Sequence, residues 1–346
     1  LITLIAFSSC SSDDDNAVVP QPQNIVEIAL DSPNLSSLVA ALSAADGDLV
    51  NVLGGDGPFT VLAPTNEAFA AFLAANNFGS LEEVPTDVLS QILLNHVIMT
   101  NVTASDLTTA GTGYTNTSAS GPNNNAMSLY FNTSDGVTFN GVSSVITADI
   151  EASNGTIHIV DGVIGIPTVV TFAAADPSFA TLVTALTELT PATDFVDILQ
   201  GDGPFTVFAP TDQAFTDAGI DLDTFTTDEE IAALTDILLY HVYSGAVNAA
   251  GVTDGLAVKM VNGDYAQFTV TEGTVMIEDA TVTAADVMAS NGVIHVIDTV
   301  LTPTATPNDI PRTAQCTGIH NSLVAGVIQA GLLPTLQTDG PFTVFA

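Results

Sequence analysis

GDGPFTVLAPTNEAF, at residues 55–69, returns as GDGPFTVFAPTDQAF at 201–215 and begins a third time as DGPFTVFA at 339–346. The glycines before the shared proline, Gly57, Gly203 and Gly340, lie 146 (203 − 57) and 137 (340 − 203) residues apart. That spacing belongs to whole domains and not to the short period of a solenoid. Within the block Gly57 and Pro58 make a turn, and FTVLA is a short apolar run of the kind that forms a strand buried on both faces. Pro64 ends the ladder because it has no N–H to donate. Thr65 stands where a helix N-cap is expected, and Glu67, or Asp212 in the second copy, puts a negative charge in the first turn, where it suits the helix dipole. Phe69 and Phe72 open the buried face of that helix.

Two more blocks recur in the same order. LSQILLNHVIM at 89–99 matches LTDILLYHVYS at 234–244, and DIEASNGTIHIVDGVI at 149–164 matches DVMASNGVIHVIDTVL at 286–301. Leu89, Ile92, Leu93, His96 and Val97 fall at helical spacing, which predicts a helix carrying its histidine on the apolar stripe. His241 follows Leu234, Ile237 and Leu238 in the same way. SNG reads as a turn, and TIHIV as a strand with Ile157 and Ile159 on one face and His158 and Val160 on the other.

Three blocks repeated in one order mark a duplicated domain. Unit one is expected over 24–167, unit two over 168–303, and a truncated unit three over 313–346, too short to close a core. Units one and two meet at IPTV with almost no spare chain, which makes a stiff junction. Residues 304–312, rich in Pro and Thr, read as a semi-extended linker.

The GPFTVLAPTNEAF block, the ILLNHV or ILLYHV helix and SNGTIHIVDGVI together resemble the two homology regions and the central Tyr-His motif of fasciclin domains. The resemblance covers nearly all of 24–303 and recurs in part after it. It implies an α+β fold of tandem fasciclin-like domains, each a β-wedge packed with several α-helices, and a role in adhesion or extracellular matrix binding. In the adhesive branch of that family the Tyr-His segment is linked to partner recognition, which falls here on Tyr240 and His241 with Leu238, Leu239 and Val242. Unit one departs from the motif, with Asn95 before His96. Two readings stand beside each other: a partner contact, or a core histidine with a satisfied hydrogen bond and a packing tyrosine.

Lys259 and Arg312 are the only basic residues against 39 Asp plus Glu, a formal net charge of −37. Nucleic acid is excluded as a partner, since a phosphate binder neutralises its target with Lys and Arg. So few cations leave the carboxylates solvated and mutually repelling at low salt, which fits a saline habitat or a surface selected for solubility. Self-association is then expected only at high salt or with calcium.

LITLIAFSS at 1–9 ends in small residues before Cys10 and resembles the back end of a bacterial lipoprotein signal peptide, although Phe7 stands where Leu is commoner. That resemblance implies lipidation at Cys10 and makes 10–23 an acidic, proline-containing tether. It places the protein in a bacterial envelope, on the outer membrane and surface-exposed or on its periplasmic face, touching the membrane only through the lipid.

Chemistry has little support in the residues. GxSxG, HExxH, GxxxxGK[ST] and a GxGxxG after a strand are all missing. His96, His158, His241, His295 and His320 lie singly, and four of them occupy equivalent places in the two units, which favours a structural role over metal ligation. Asp46 with Asp48 and Asp221 with Asp223 lack the full spacing of a calcium loop and read as solvated surface. No catalytic residue, metal site or cofactor is expected. The leading expectation is a lipid-anchored adhesion module for an extracellular protein, matrix or polysaccharide; the alternative is a solute- or carbohydrate-binding accessory of the envelope.

Overall fold

The computed structural model describes residues 21–190, 193–303, 314, 320–336 and 342–346. FTVLAP forms strand β1 (Phe59–Pro64), every residue of which is buried. It is followed by β2 (Val97–Ile98), β3 (Thr112–Ser120), β4 (Ala126–Asn132), β5 (Thr138–Phe139), β6 (Ser143–Ala152) and β7 (Gly155–Val160). These seven make one sheet in the order β2-β1-β7-β6-β5-β4-β3. The second copy repeats the plan with β8 (Phe205–Pro210), β9 (Val242–Tyr243), β10 (Ala257–Lys259), β11 (Tyr265–Thr271), β12 (Thr274–Ile277), β13 (Ala280–Ala289) and β14 (Gly292–Ile297), ordered β10-β11-β12-β13-β14-β8-β9. The architecture is α+β, one twisted sheet and its helices per unit.

The first and third sequence blocks are sheet neighbours. β1 runs parallel to β7 from Phe59 opposite Gly155 to Pro64 opposite Val160, and β8 runs parallel to β14 in the same register. The backbones approach so closely at the start of this pairing that a Cβ on Gly57 would strike the Asn154 carbonyl and one on Gly155 the Phe59 carbonyl. Side chains on the two faces of the parallel pair enter separate cores. Ile157 and Ile159 face Leu38, Leu89 and Phe69, whereas Val160 joins Leu62, Phe131 and Phe139.

Helices cover the first of these faces. In unit one they are α1 (Ile25–Asp31), α2 (Ser36–Ala44), α3 (Leu49–Gly54), α4 (Asn66–Ala75) and α5 (Thr86–Leu94), whereas α6 (Ala104–Ala110) sends Leu107 into the core on the other face. In unit two they are α7 (Val169–Ala175), α8 (Ala180–Thr184), α9 (Phe195–Gln200), α10 (Asp212–Asp217) and α11 (Asp228–Leu239). Thr65 and Thr211 cap α4 and α10 as their positions imply, accepting from Ala68 N–H at 3.2 Å and Ala214 N–H at 3.3 Å.

The SNG asparagine is more than a turn former. Asn154 donates through Nδ2 to the Leu53 and Gly55 carbonyls, both at 2.8 Å, and accepts from Ile25 N–H at 3.0 Å. One amide thereby ties the start of α1, the end of α3 and the β6–β7 turn. Asn291 repeats the arrangement with Leu199, Gly201 and Val169.

The histidine helices are shorter than the apolar stripe predicts. α5 ends at Leu94 and α11 at Leu239, so His96 and His241 lie just beyond them, and Val97 and Val242 already belong to strands. The third copy of the motif differs from the first two. Its residues 342–346 form no strand, and Phe345 is 94% exposed. The expected signal remnant, Cys10, most of the tether and the 304–312 linker lie outside the described residues.

Candidate functional site

The imidazole of His241 sits where α11 stops. Its Nδ1–H donates to the Ile237 carbonyl at 2.8 Å, the oxygen that the His241 backbone N–H would take if the helix continued. That N–H goes instead to Leu238 O, and the chain leaves the helix. Nε2 accepts from Leu301 N–H at 2.9 Å, so one ring links the helix end to the segment after β14. His96 makes the same pair of bonds, to Ile92 O at 2.7 Å and from Ile164 N–H at 2.9 Å. Burial pushes both rings down to about 4, with the bonds to Ile92 and Ile237 acting in the opposite direction, so both are neutral near pH 7.

Tyr240, His241, Leu238 and Val242 all lie inside the fold, at 1%, 2%, 2% and 4% exposure. Tyr240 packs with Phe208, Met260 and Phe268, and its hydroxyl donates to the Tyr265 carbonyl at 3.0 Å. Of the five residues marked by the motif, Leu239 alone is partly exposed. In unit one Asn95 replaces the ring with an amide that donates to Gly165 O at 3.0 Å and accepts from the Thr117 hydroxyl at 3.1 Å. The tyrosine is therefore one of two ways to fill this place.

His158 and His295 form a second repeated device. Nε2–H donates to Val102 O at 2.9 Å in one and to Val247 O at 2.8 Å in the other. Nδ1 accepts from the backbone N–H of Asp149 at 3.1 Å and of Asp286 at 3.3 Å. Both aspartates stand at a bulge in left-handed conformation (φ 57° and 59°), which turns the N–H inward. Their carboxylates accept from Ala104 N–H at 2.9 Å and Ala249 N–H at 2.8 Å, with Asp149 Oδ1 4.0 Å from His158 Nδ1. Burial lowers the His295 pKa, with the Val247 bond and Asp286 opposing it.

Sequence reading missed the residues that join the units. Tyr114 and Tyr130, on β3 and β4 of unit one, pack together at 5.2 Å between ring centroids, and Tyr114 meets Phe172 of α7 edge-on at 5.8 Å. The Tyr114 hydroxyl donates to Asp176 Oδ2 at 2.9 Å, while Oδ1 of the same carboxylate caps the turn that begins unit two's next helix. Burial first, then the Asp176 charge, drives the Tyr114 phenol far up, so it stays a donor. Ser128 of β4 accepts from Met288 N–H of β13 at 2.9 Å, and Ser290 donates twice to Pro167 O at 2.8 Å. The available signal was length: the stretch from His96 to Asp149 is eight residues longer (53 − 45) than from His241 to Asp286.

The carboxylate pairs take up nearby hydrogen-bond donors. Asp46 accepts from the Thr86 hydroxyl, Asp48 from the Asn51 amide, and Asp221 from Asp223 N–H. Among the described residues no group of three or more His, Cys, Asp or Glu side chains gathers to hold a metal ion. No single helix among them is long and apolar enough to cross a membrane.

A family model for the fasciclin domain matches residues 33–167 and 177–303. The chain belongs to the fasciclin domain family. Protein sll1483 of Synechocystis sp. is 45% identical over 138 residues, which are 39% of this fasciclin-domain chain and 73% of that protein. Cell surface glycolipoprotein MPB83 of Mycobacterium bovis is 34% identical over 139 residues, 40% of this chain and 61% of that one. Among solved structures, a FAS1 domain pair from the insect cell adhesion molecule fasciclin I matches with a TM-score of 0.50 at 22% identity, covering 78% of this chain and 97% of that one. That last likeness is one of fold.

Proposed function

We propose that this chain is a non-catalytic surface adhesion module, held on a bacterial outer membrane by a lipid at Cys10, that binds an extracellular protein, matrix component or polysaccharide. The observation that carries this reading is the docked pair of fasciclin domains. A part-buried tyrosine–carboxylate contact between units gives an adhesive face a fixed spacing that a flexible linker would not. Relatives point the same way: MPB83 is by name a cell surface glycolipoprotein, and fasciclin I a cell adhesion molecule. In this proposal Leu239 offers the contact, while Tyr240, His241, Leu238 and Val242 hold it in place from beneath. With a net charge of −37, contact between copies needs screening or a bridging divalent cation.

The test is clustering of beads coated with residues 24–303 across a salt series, with and without calcium, beside a Leu239→Asp variant. Clustering that appears at high salt or with calcium and is lost in the variant is the expected result for self-adhesion. Beads that stay dispersed against one another, and against matrix proteins and polysaccharides, would sink the reading.

A further inference from the structure

We infer that unit two carries a binding site for a compact apolar ligand, a group about the size of a benzene ring. Between α7, α8, α9 and the sheet lies a cavity of about 140 Å³ whose floor is formed by Val207, Ala209 and Ile294. A dry cavity of roughly 150 Å³ lined by Leu, Ile and Phe is known to accept benzene or xenon. Among the described residues the lining side chains carry no ionisable group, and the one hydroxyl among them, on Thr187, is already donated to the Val183 carbonyl at 2.8 Å. Nothing in the wall asks the ligand for a hydrogen bond.

A second, independent observation is that this space belongs to unit two by construction. The chain is two residues longer between Leu186 and Leu199 than between the equivalent Leu42 and Leu53. The addition follows a π-helical turn, Ala185–Leu189, a local geometry enriched at functional sites. In unit one Leu42 and Ala29 are buried within the core, whereas their counterparts Leu186 and Ala173 are only half-buried against the cavity. Val169 stands where Ile25 fills unit one, one methylene shorter. The rim, with Val170 and Val196 half-buried and Thr187 exposed, opens the cavity to solvent, so a ligand enters without unfolding the domain.

The ligand is either a free small hydrocarbon or the end of a longer chain. Both are tested by titrating the full chain with benzene and with n-alkanols from butanol to decanol, following backbone amide shifts by NMR. The expected result is saturable shifts at Val170, Leu186, Thr187 and Val196, with unit one unmoved. Affinity that falls beyond hexanol identifies the free molecule, and affinity that keeps rising identifies a chain end. Ala173→Leu fills the space and should weaken benzene at least about tenfold. Val170→Phe, at the rim, gives the same reading if that variant fails to fold. Shifts that do not saturate, or that persist unchanged in a folded filling variant, overturn the proposal.

Discussion

Units one and two place the same histidine in the same two hydrogen bonds, yet they complete the core around it with opposite chemistry. Unit two inserts the Tyr240 ring among Phe208, Met260 and Phe268. Unit one uses the Asn95 amide, satisfied by Gly165 and Thr117. A backbone demand, such as an uncapped helix end or two strands too close for a Cβ, admits few residue types. A volume demand admits many, because neighbours adjust. The duplicated blocks are where demands of the first kind gather.

The largest effect should come where both units obey the same backbone rule. Gly57→Ala drives a Cβ into the Asn154 carbonyl and should cost more than about 4 kcal/mol, unfolding unit one in urea denaturation. If it costs under about 1 kcal/mol, the parallel pair is looser than the comparison requires. Next comes the contrast at the position before the histidine. Tyr240→Ala should cost about 3 to 5 kcal/mol through the lost ring. Asn95→Ala should cost about 1 to 3 kcal/mol, the desolvation of its two stranded partners.

The paired histidines predict a pH response shared by both units. Unfolded, the rings take up protons below about 6.5; folded, His96 and His241 do so only at about 4. The unfolded state therefore binds more protons within that window. Stability is full above pH 6.5, declines as pH falls, and the loss is complete below about 4, at about 3 kcal/mol per ring. Urea midpoints should be measured in about 1 M salt, where repulsion among the carboxylates is screened to about 3 Å. His241→Gln should remove one ring's share of the slope and leave the shares of His96 and His295. A slope left whole would mean that another group is titrating.

The smallest expected effect tests the joint. Tyr114→Phe keeps the ring and loses the part-buried hydroxyl bond to Asp176, a loss of about 0.5 to 1.5 kcal/mol because water can replace the phenol at the carboxylate. Calorimetry should then split one transition into two. A single unaltered transition would show that the Tyr114, Tyr130 and Phe172 rings couple the units without it.

Much of this was legible because it is local. Gly-Pro-Phe, Thr65 and the SNG turn are read by their neighbours in the chain, and each does what its local chemistry predicts. The Asn154 hub was not legible, since its partners Leu53 and Ile25 are 101 and 129 residues away. The ends of α5 and α11 escaped for a related reason. Apolar periodicity runs on through His96, but a side-chain N–H takes the carbonyl that the next helical turn needs.

The sequence by itself determined that a domain was duplicated and where its parallel strand pair and first helix cap fall, because these rest on periodicity, backbone sterics and repetition along the chain, while the fold was implied by the resemblance of the repeated blocks to fasciclin domains. Only the tertiary structure decided that Tyr240 and His241 face inward, that Tyr114 crosses to Asp176, and that a cavity stands between α7, α8, α9 and the sheet of unit two. Those outcomes depend on which surfaces meet once the sheets have formed, and that is a property of packing between residues far apart in sequence.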